Sequence, residues 1–349
     1  MKTAAAVHES DAKGPDWRQI VARYQEPDLR RSLWEIANSI IPYFVLMYLM
    51  FRSLEVSYWL TLALAPVTAG FVMRIFIIFH DCGHGSFFKS NRANAFWGFI
   101  TGFLTFTAYY YWRRDHAVHH ATVSDLDRRG IGDVKTLTVK EYQALPPLGK
   151  LGYRLMRHPL VMFVLGPPVV FLIVHRFARN DASRRERLSV YWTNLVILGL
   201  LVLVHFTVGW KAYLLVHVPV LLIGFSVGVW MFYVQHQFEG TYWEKHGDWD
   251  FVTAALKGSS FYKLPKILQW FSGNIGYHHI HHLSPRIPNY RLEACHNENP
   301  MFQEIEPITL RSSLKCVHFR LWDEEQHRLV GFDHLKKLGQ KPAFGLENS

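Results

Sequence analysis

Three short stretches hold histidines at intervals that suit shared chemistry: His80-Asp81-Cys82-Gly83-His84, His116-Ala117-Val118-His119-His120 and His278-His279-Ile280-His281-His282. On a helix, residues three and four apart lie on one face. His80 can therefore point with His84, His116 with His119 and His120, and His278 with His281 and His282. A ninth imidazole, His236, directly follows an apolar block in Val-Gln-His-Gln-Phe-Glu. His279 falls off the shared face and is expected beside the set or exposed. Histidines scattered elsewhere, such as His8, His158, His205 and His327, are expected to be ordinary surface or core residues.

Imidazole suits zinc, copper, iron and nickel. One zinc ion takes about four ligands, so eight or nine imidazoles imply two ions. Cys82, Cys295 and Cys316 form no CxxC pair, which suggests neither a disulfide framework nor a cysteine zinc site. No Glu-x-x-His pattern lies in the clusters to indicate a carboxylate-bridged bundle site. Two irons in an all-histidine shell fit best. Zinc is the inorganic alternative, but it cannot accept electrons or activate oxygen.

Apolar blocks must position these groups. They run from about residues 34–51, 56–79, 190–210 and 212–234, each of the ~18–25 residues that cross a bilayer as a helix. The short links make them two hairpins. Arg74, near the end of the second block, is expected to snorkel to the headgroups. Two shorter stretches, 95–112 and 160–177, are expected to lie at the interface. If either crossed, the histidine clusters would fall on opposite sides of the membrane. The basic run 176–187 would also face outward, against the positive-inside tendency. The expected fold is thus an all-α integral membrane protein. It has four transmembrane helices in two hairpins, two interfacial segments, and a cytoplasmic helical cap (80–188 and 235–335) holding a diiron site. Residues 1–32 read as a peripheral cytoplasmic segment, 33–335 as the membrane domain and 336–349 as a tail.

The net charge of +10 comes from basic residues flanking apolar blocks, a placement that favours a membrane over nucleic acid. No nucleic-acid module is visible. The first thirty residues lack the apolar core of a signal peptide, so the N-terminus is expected in the cytoplasm.

The stretches HDCGHGSFF, RRDHAVHH and GYHHIHHLSPRIPNYRL resemble the three histidine boxes of membrane fatty acid desaturases, most like the bacterial and plastid omega-6 (delta-12) acyl-lipid branch. The resemblance covers roughly residues 30–320. It implies an oxygen-dependent enzyme that inserts a cis double bond into a lipid-linked acyl chain. It also implies two non-haem irons on His80, His84, His116, His119, His120, His278, His281 and His282. The family's extra ligand falls on His236, by position more than by motif. Asn274 is a weak match for an asparagine that holds a metal-bound water. No His-Pro-Gly-Gly haem motif is present, so the electron donor is expected to be separate: a ferredoxin or, alternatively, a cytochrome b5 type protein. The expected location is a bacterial inner membrane, with the active site and both termini cytoplasmic.

Metal-bound imidazoles usually donate their second N–H to an acceptor. Asp81, Asp115, Asp125, Asp127 and Glu239 are expected in that role. Phe103, Phe106, Tyr109, Tyr110 and Tyr111 are candidates to line an acyl tunnel, or to anchor the interface. Competing readings are a related diiron acyl hydroxylase or carotenoid ketolase and, from another class, a metal-binding membrane transporter.

Overall fold

The computed structural model describes residues 16–338, so His8 and most of the 336–349 tail lie outside the described residues. In chain order the helices are α1 (Trp17–Ala22), α2 (Leu29–Ser53), α3 (Tyr58–His84), α4 (Asn91–Leu104), α5 (Tyr109–Thr122), α6 (Val139–Ala144), α7 (Pro147–Met156), α8 (Gly166–Leu172), α9 (Arg184–Phe206), α10 (Trp210–His236), α11 (Phe251–Lys257), α12 (Lys266–Phe271), α13 (His278–Leu283) and α14 (Asn289–Glu298). Short helical turns follow α14.

Four of these helices, α2, α3, α9 and α10, are long and apolar enough to span a bilayer. Each pair is joined by a short turn, giving two hairpins. Apolar side chains on α2 and α9 point outward, among them Ile41, Phe44, Leu195 and Phe206, as lipid-facing surfaces do. Helix α3 is the axis of the bundle: 61% of its most apolar window is buried, against 22–33% for the other three. It packs against α2, α4, α5, α10 and α12.

The spans run further than their apolar blocks. Helix α3 continues through the first histidine box to His84, and α10 reaches His236. Backbone hydrogen bonds carry each helix past the last apolar residue, so the imidazoles project from rigid helix ends. Gly85, in the left-handed conformation at φ 73°, then stops α3. The stretch 95–112 is not one segment. It breaks at Thr105–Ala108, where Phe106 has φ 57°, and α5 starts anew to carry the second box. The stretch 160–177 is a π-turn (Val161–Leu165), α8 and a 3-10 turn (Val174–Arg176), bent by 60° from α7.

Two small sheets brace the cap. In one, β1 (Leu137–Thr138) pairs in parallel with β4 (Leu321–Asp323), which pairs antiparallel with β5 (Arg328–Val330). In the other, β2 (Phe261–Lys263) and β3 (Pro307–Thr309) run parallel.

Two expectations need correction. Arg74 does not snorkel: it is 3% exposed. Its guanidinium pairs with Glu35 at 3.3 Å, donates to Asn38 and Ser39 at 3.1 Å each, and stacks 3.8 Å over the Trp270 ring while bonding the Trp270 carbonyl. A charge inside a bundle survives when paired and fully hydrogen-bonded, and this one ties α12, just before the third box, to α2 and α3. Residues 17–24 are not peripheral either. Ile20, Val21 and Tyr24 pack with Ile280, Leu283 and Leu292, against the back of the third box.

Candidate metal centre

The nine imidazoles singled out by spacing meet at one end of the bundle in two groups. His80, His84, His116, His120 and His281 form the first, and His119, His236, His278 and His282 the second. Within each group the candidate ligand atoms lie within 4.8 Å of one another. The groups are neighbours, with the His120 and His282 rings stacked at 4.0 Å. Helix α5 serves both, because adjacent His119 and His120 diverge.

In the second group, His236 Nε2 lies 3.1 Å from His119 Nε2 and 3.0 Å from His278 Nε2, which is itself 3.0 Å from His282 Nε2. A neutral ring nitrogen has either one proton or one lone pair. It cannot satisfy two such neighbours by hydrogen bonding. Two nitrogens each ~2.1 Å from one cation and at right angles stand about 3.0 Å apart, so the donor set fits a metal ion. The first group shows the same apposition, with His120 Nε2 3.2 Å from His116 Nε2 and 3.1 Å from His281 Nε2. Burial, with mutual repulsion added, holds His116, His120, His278, His281 and His282 well below the usual imidazole range. They are thus neutral, the form that ligates.

Three rings are oriented from behind through Nδ1. Asp81 Oδ1 lies 3.1 Å from His80 Nδ1, while its Oδ2 accepts from Asn289 at 2.7 Å (backbone) and 3.0 Å (side chain). The carboxylate thereby joins the first box to the segment after the third. Asp133 Oδ1 lies 2.5 Å from His119 Nδ1, and the Gly258 carbonyl 3.3 Å from that of His236. Each contact leaves Nε2 facing the group, as a metal-bound imidazole requires.

Of the five acids expected here, only Asp81 touches a box imidazole. Asp115 is held by Arg179 at 2.8 and 3.1 Å. Asp125 is fully buried and taken by Arg128 and His246. Asp127 accepts from the His246 backbone, and Glu239 is exposed. Asp133 was missed, although it closes the glycine-punctuated loop Gly130-Ile131-Gly132-Asp133 just after the second box. Asn274 is committed elsewhere, accepting from Gln269 and donating to the Asn289 carbonyl. His279 is off the shared face as expected but is buried, not exposed, against Phe261 and Phe302.

An apolar cavity of about 340 Å³ opens beside the imidazoles, with His80, His116 and His278 in its wall. Helices α3, α8 and α10 form its sides. Of the five aromatics proposed for a tunnel only Tyr111 lines it. Tyr109 instead packs on Gly98 and donates to the Cys82 carbonyl at 2.6 Å, fixing α5 to the first box.

A four-span bundle with a histidine-rich centre at the mouth of an apolar cavity defines an integral membrane enzyme that works on an apolar substrate. Residues 57–308 match the family model for fatty acid desaturases, and a fatty acid desaturase of Bacillus subtilis is 51% identical over 91% of this chain and 90% of its own length. The chain belongs to the fatty acid desaturase family. More distant relatives include the sn-1 oleoyl-lipid 12-desaturase of Synechocystis, 27% identical over 63% of each chain. A Nostoc protein named sn-1 acyl-lipid omega-3 desaturase (ferredoxin) is 26% identical over 70% of this chain and 71% of its own.

Proposed function

We propose that this desaturase inserts a cis double bond into an acyl chain carried on a membrane lipid, with two irons held by the nine imidazoles. His80, His84, His116, His120 and His281 would hold one ion, and His119, His236, His278 and His282 the other. The observation that carries the reading is the pairing of two nitrogen-only donor groups with the mouth of an apolar cavity. Bound there, the irons would supply the oxygen chemistry that removes hydrogen from two adjacent methylenes. Overall, one dioxygen becomes two waters. Two hydrogens come from the substrate, two electrons from the donor and two protons from solvent.

The chain's own residues bind and orient. The walls from Val72, Phe76, Phe225 and Phe232 exclude water and hold the acyl chain as a packed, apolar guest. Asp81 and Asp133 fix the rotation and tautomer of His80 and His119. Both termini and the metal centre are assigned to the cytoplasmic face of a bacterial inner membrane, the metal centre belonging to one catalytic domain spanning 33–335. The donor is a separate soluble electron carrier of the ferredoxin class, a choice supported by the name of the Nostoc relative, with a cytochrome b5 type protein as the alternative. The delta-12 position implied by the resemblance is supported by the name of the Synechocystis relative.

Expression in a desaturase-deficient bacterium, followed by lipid profiling, tests the reading. A new alkene, lost in His281→Ala, is expected. An alcohol or ketone would assign a hydroxylase or ketolase instead. An unchanged profile from folded, iron-loaded protein supplied with electrons would refute it.

A further inference from the structure

The cavity extends well beyond the imidazoles. Its wall on α3 runs from His80 back to Val72, and its wall on α10 from Gln235 back to Gly224. At 1.5 Å rise per residue these are ~12 and ~16 Å of helix leading into the body of the spans, room for roughly ten extended methylenes. Asp115 and Gln235 lie at the metal end and Val72, Val170 and Phe225 at the other, with Thr105, Thr107 and His175 also in the wall. A methyl terminus gains most from the end deep among the spans, away from the ionisable helix ends. The tail therefore enters methyl-first, with its ester at the helix ends.

On α10 the cavity is lined by Gly224, Phe225, Gly228, Val229, Met231 and Phe232, with Gly228 one turn from each of the rings of Phe225 and Phe232. Phe225 is fixed by stacking on Phe171 at 4.5 Å, and Phe232 lies 5.2 Å from the His119 ring. Most buried glycines of this bundle are demanded by packing. A β-carbon at Gly98 or Gly102 would collide with the Tyr109 ring or the Thr107 carbonyl. At Gly228 it would meet no heavy atom within 4 Å. Helix packing thus does not require glycine there, and glycine costs a helix ~1 kcal/mol relative to alanine. Gly228 is partly buried, and what its missing side chain leaves is open space at the cavity wall, one turn from Gly224, where a β-carbon would rest 3.5 Å from Val72.

We propose that Gly228 is a specificity-determining residue: it opens the passage by which the acyl tail slides past Phe232 toward Val72 and Phe225. The depth of that passage then sets how many carbons lie between the new bond and the methyl end. This rests on the desaturase reading of the same site and adds its regiochemistry.

The test is double-bond mapping of lipids made by the full-length enzyme, wild type against Gly228→Leu, Gly228→Ala and, from the opposite wall, Val72→Phe. Iron content is measured in each. Gly228→Leu and Val72→Phe are expected to move the bond toward the methyl end, or to favour shorter chains about tenfold, at unchanged iron content. Gly228→Ala should give a smaller shift in the same direction. If Gly228→Leu does not accumulate, Val72→Phe and Gly228→Ala decide. Wild-type bond position and chain length in the filled variants would overturn the proposal. Absence of any double bond from the wild-type enzyme would instead overturn the desaturase reading.

Discussion

Replacing Asp133 by asparagine should loosen one metal ion and spare the other. Asp133 Oδ1 stands 2.5 Å from His119 Nδ1, and Oδ2 accepts from the Gly130 backbone at 3.3 Å. The carboxylate fixes the ring so that Nε2 faces His236, and it raises the basicity of that nitrogen. Asparagine keeps the shape but removes the charge, and its amide can present hydrogens to Nδ1. Losing such an acceptor costs 10–100-fold in metal affinity, or about 1.4–2.7 kcal/mol. His119 belongs to the second group, whereas the acceptor serving the first, Asp81 at His80, is untouched. The assay is iron per chain in purified protein dialysed against graded chelator. Asp133→Asn should release one equivalent at 10–100-fold lower chelator and the other at the wild-type position, with desaturation lost alongside the first. An unchanged release curve, or equal weakening of both ions, would refute the reasoning that Asp133 acts through His119.

The other predictions concern what holds the boxes in place. Arg74→Ala leaves the largely buried Glu35 carboxylate without its partner, and breaking a buried pair typically costs about 3–5 kcal/mol. Denaturant unfolding in detergent should show that loss, and Glu35→Gln in the same chain should recover part of it; no recovery would sink the pairing argument. Gly132 has φ 71°, and a β-carbon there would press to 3.0 Å against the Asp115 carbonyl and His119 Cβ. Left-handed backbone costs a non-glycine residue about 1–2 kcal/mol. Gly132→Ala should therefore displace Asp133 and lower iron retention as Asp133→Asn does; wild-type retention would contradict it.

The meeting of the nine imidazoles was largely legible because helical spacing alone puts residues i, i+3 and i+4 on one face, and the four long apolar helices because a bilayer fixes helix length. A shared site for the boxes then fixed the parity of crossings, and the boxes do meet at one end of the bundle. What resisted reading was tertiary. Asp115 and Asp125 sit beside boxes in the chain, but Arg179 and Arg128 claim them. Asp133, more distant in sequence, folds back onto His119. Arg74 reads as a snorkelling cation because its partners on α2 lie 35 or more residues away. The helices outrun the apolar blocks because apolar composition stops before the helix does: α3 and α10 carry their ligand candidates on a last, polar turn. Residues 17–24 look like polar linker, yet the few apolar side chains among them seal the back of α13.

Iron X-ray absorption on the purified enzyme, combined with metal counting, tests the central claim most directly. The account predicts two irons per chain in a first shell dominated by imidazole nitrogen at ~2.1 Å, falling to one iron in His236→Ala. A single ion, zinc in place of iron at full activity, or a shell dominated by sulfur would contradict it.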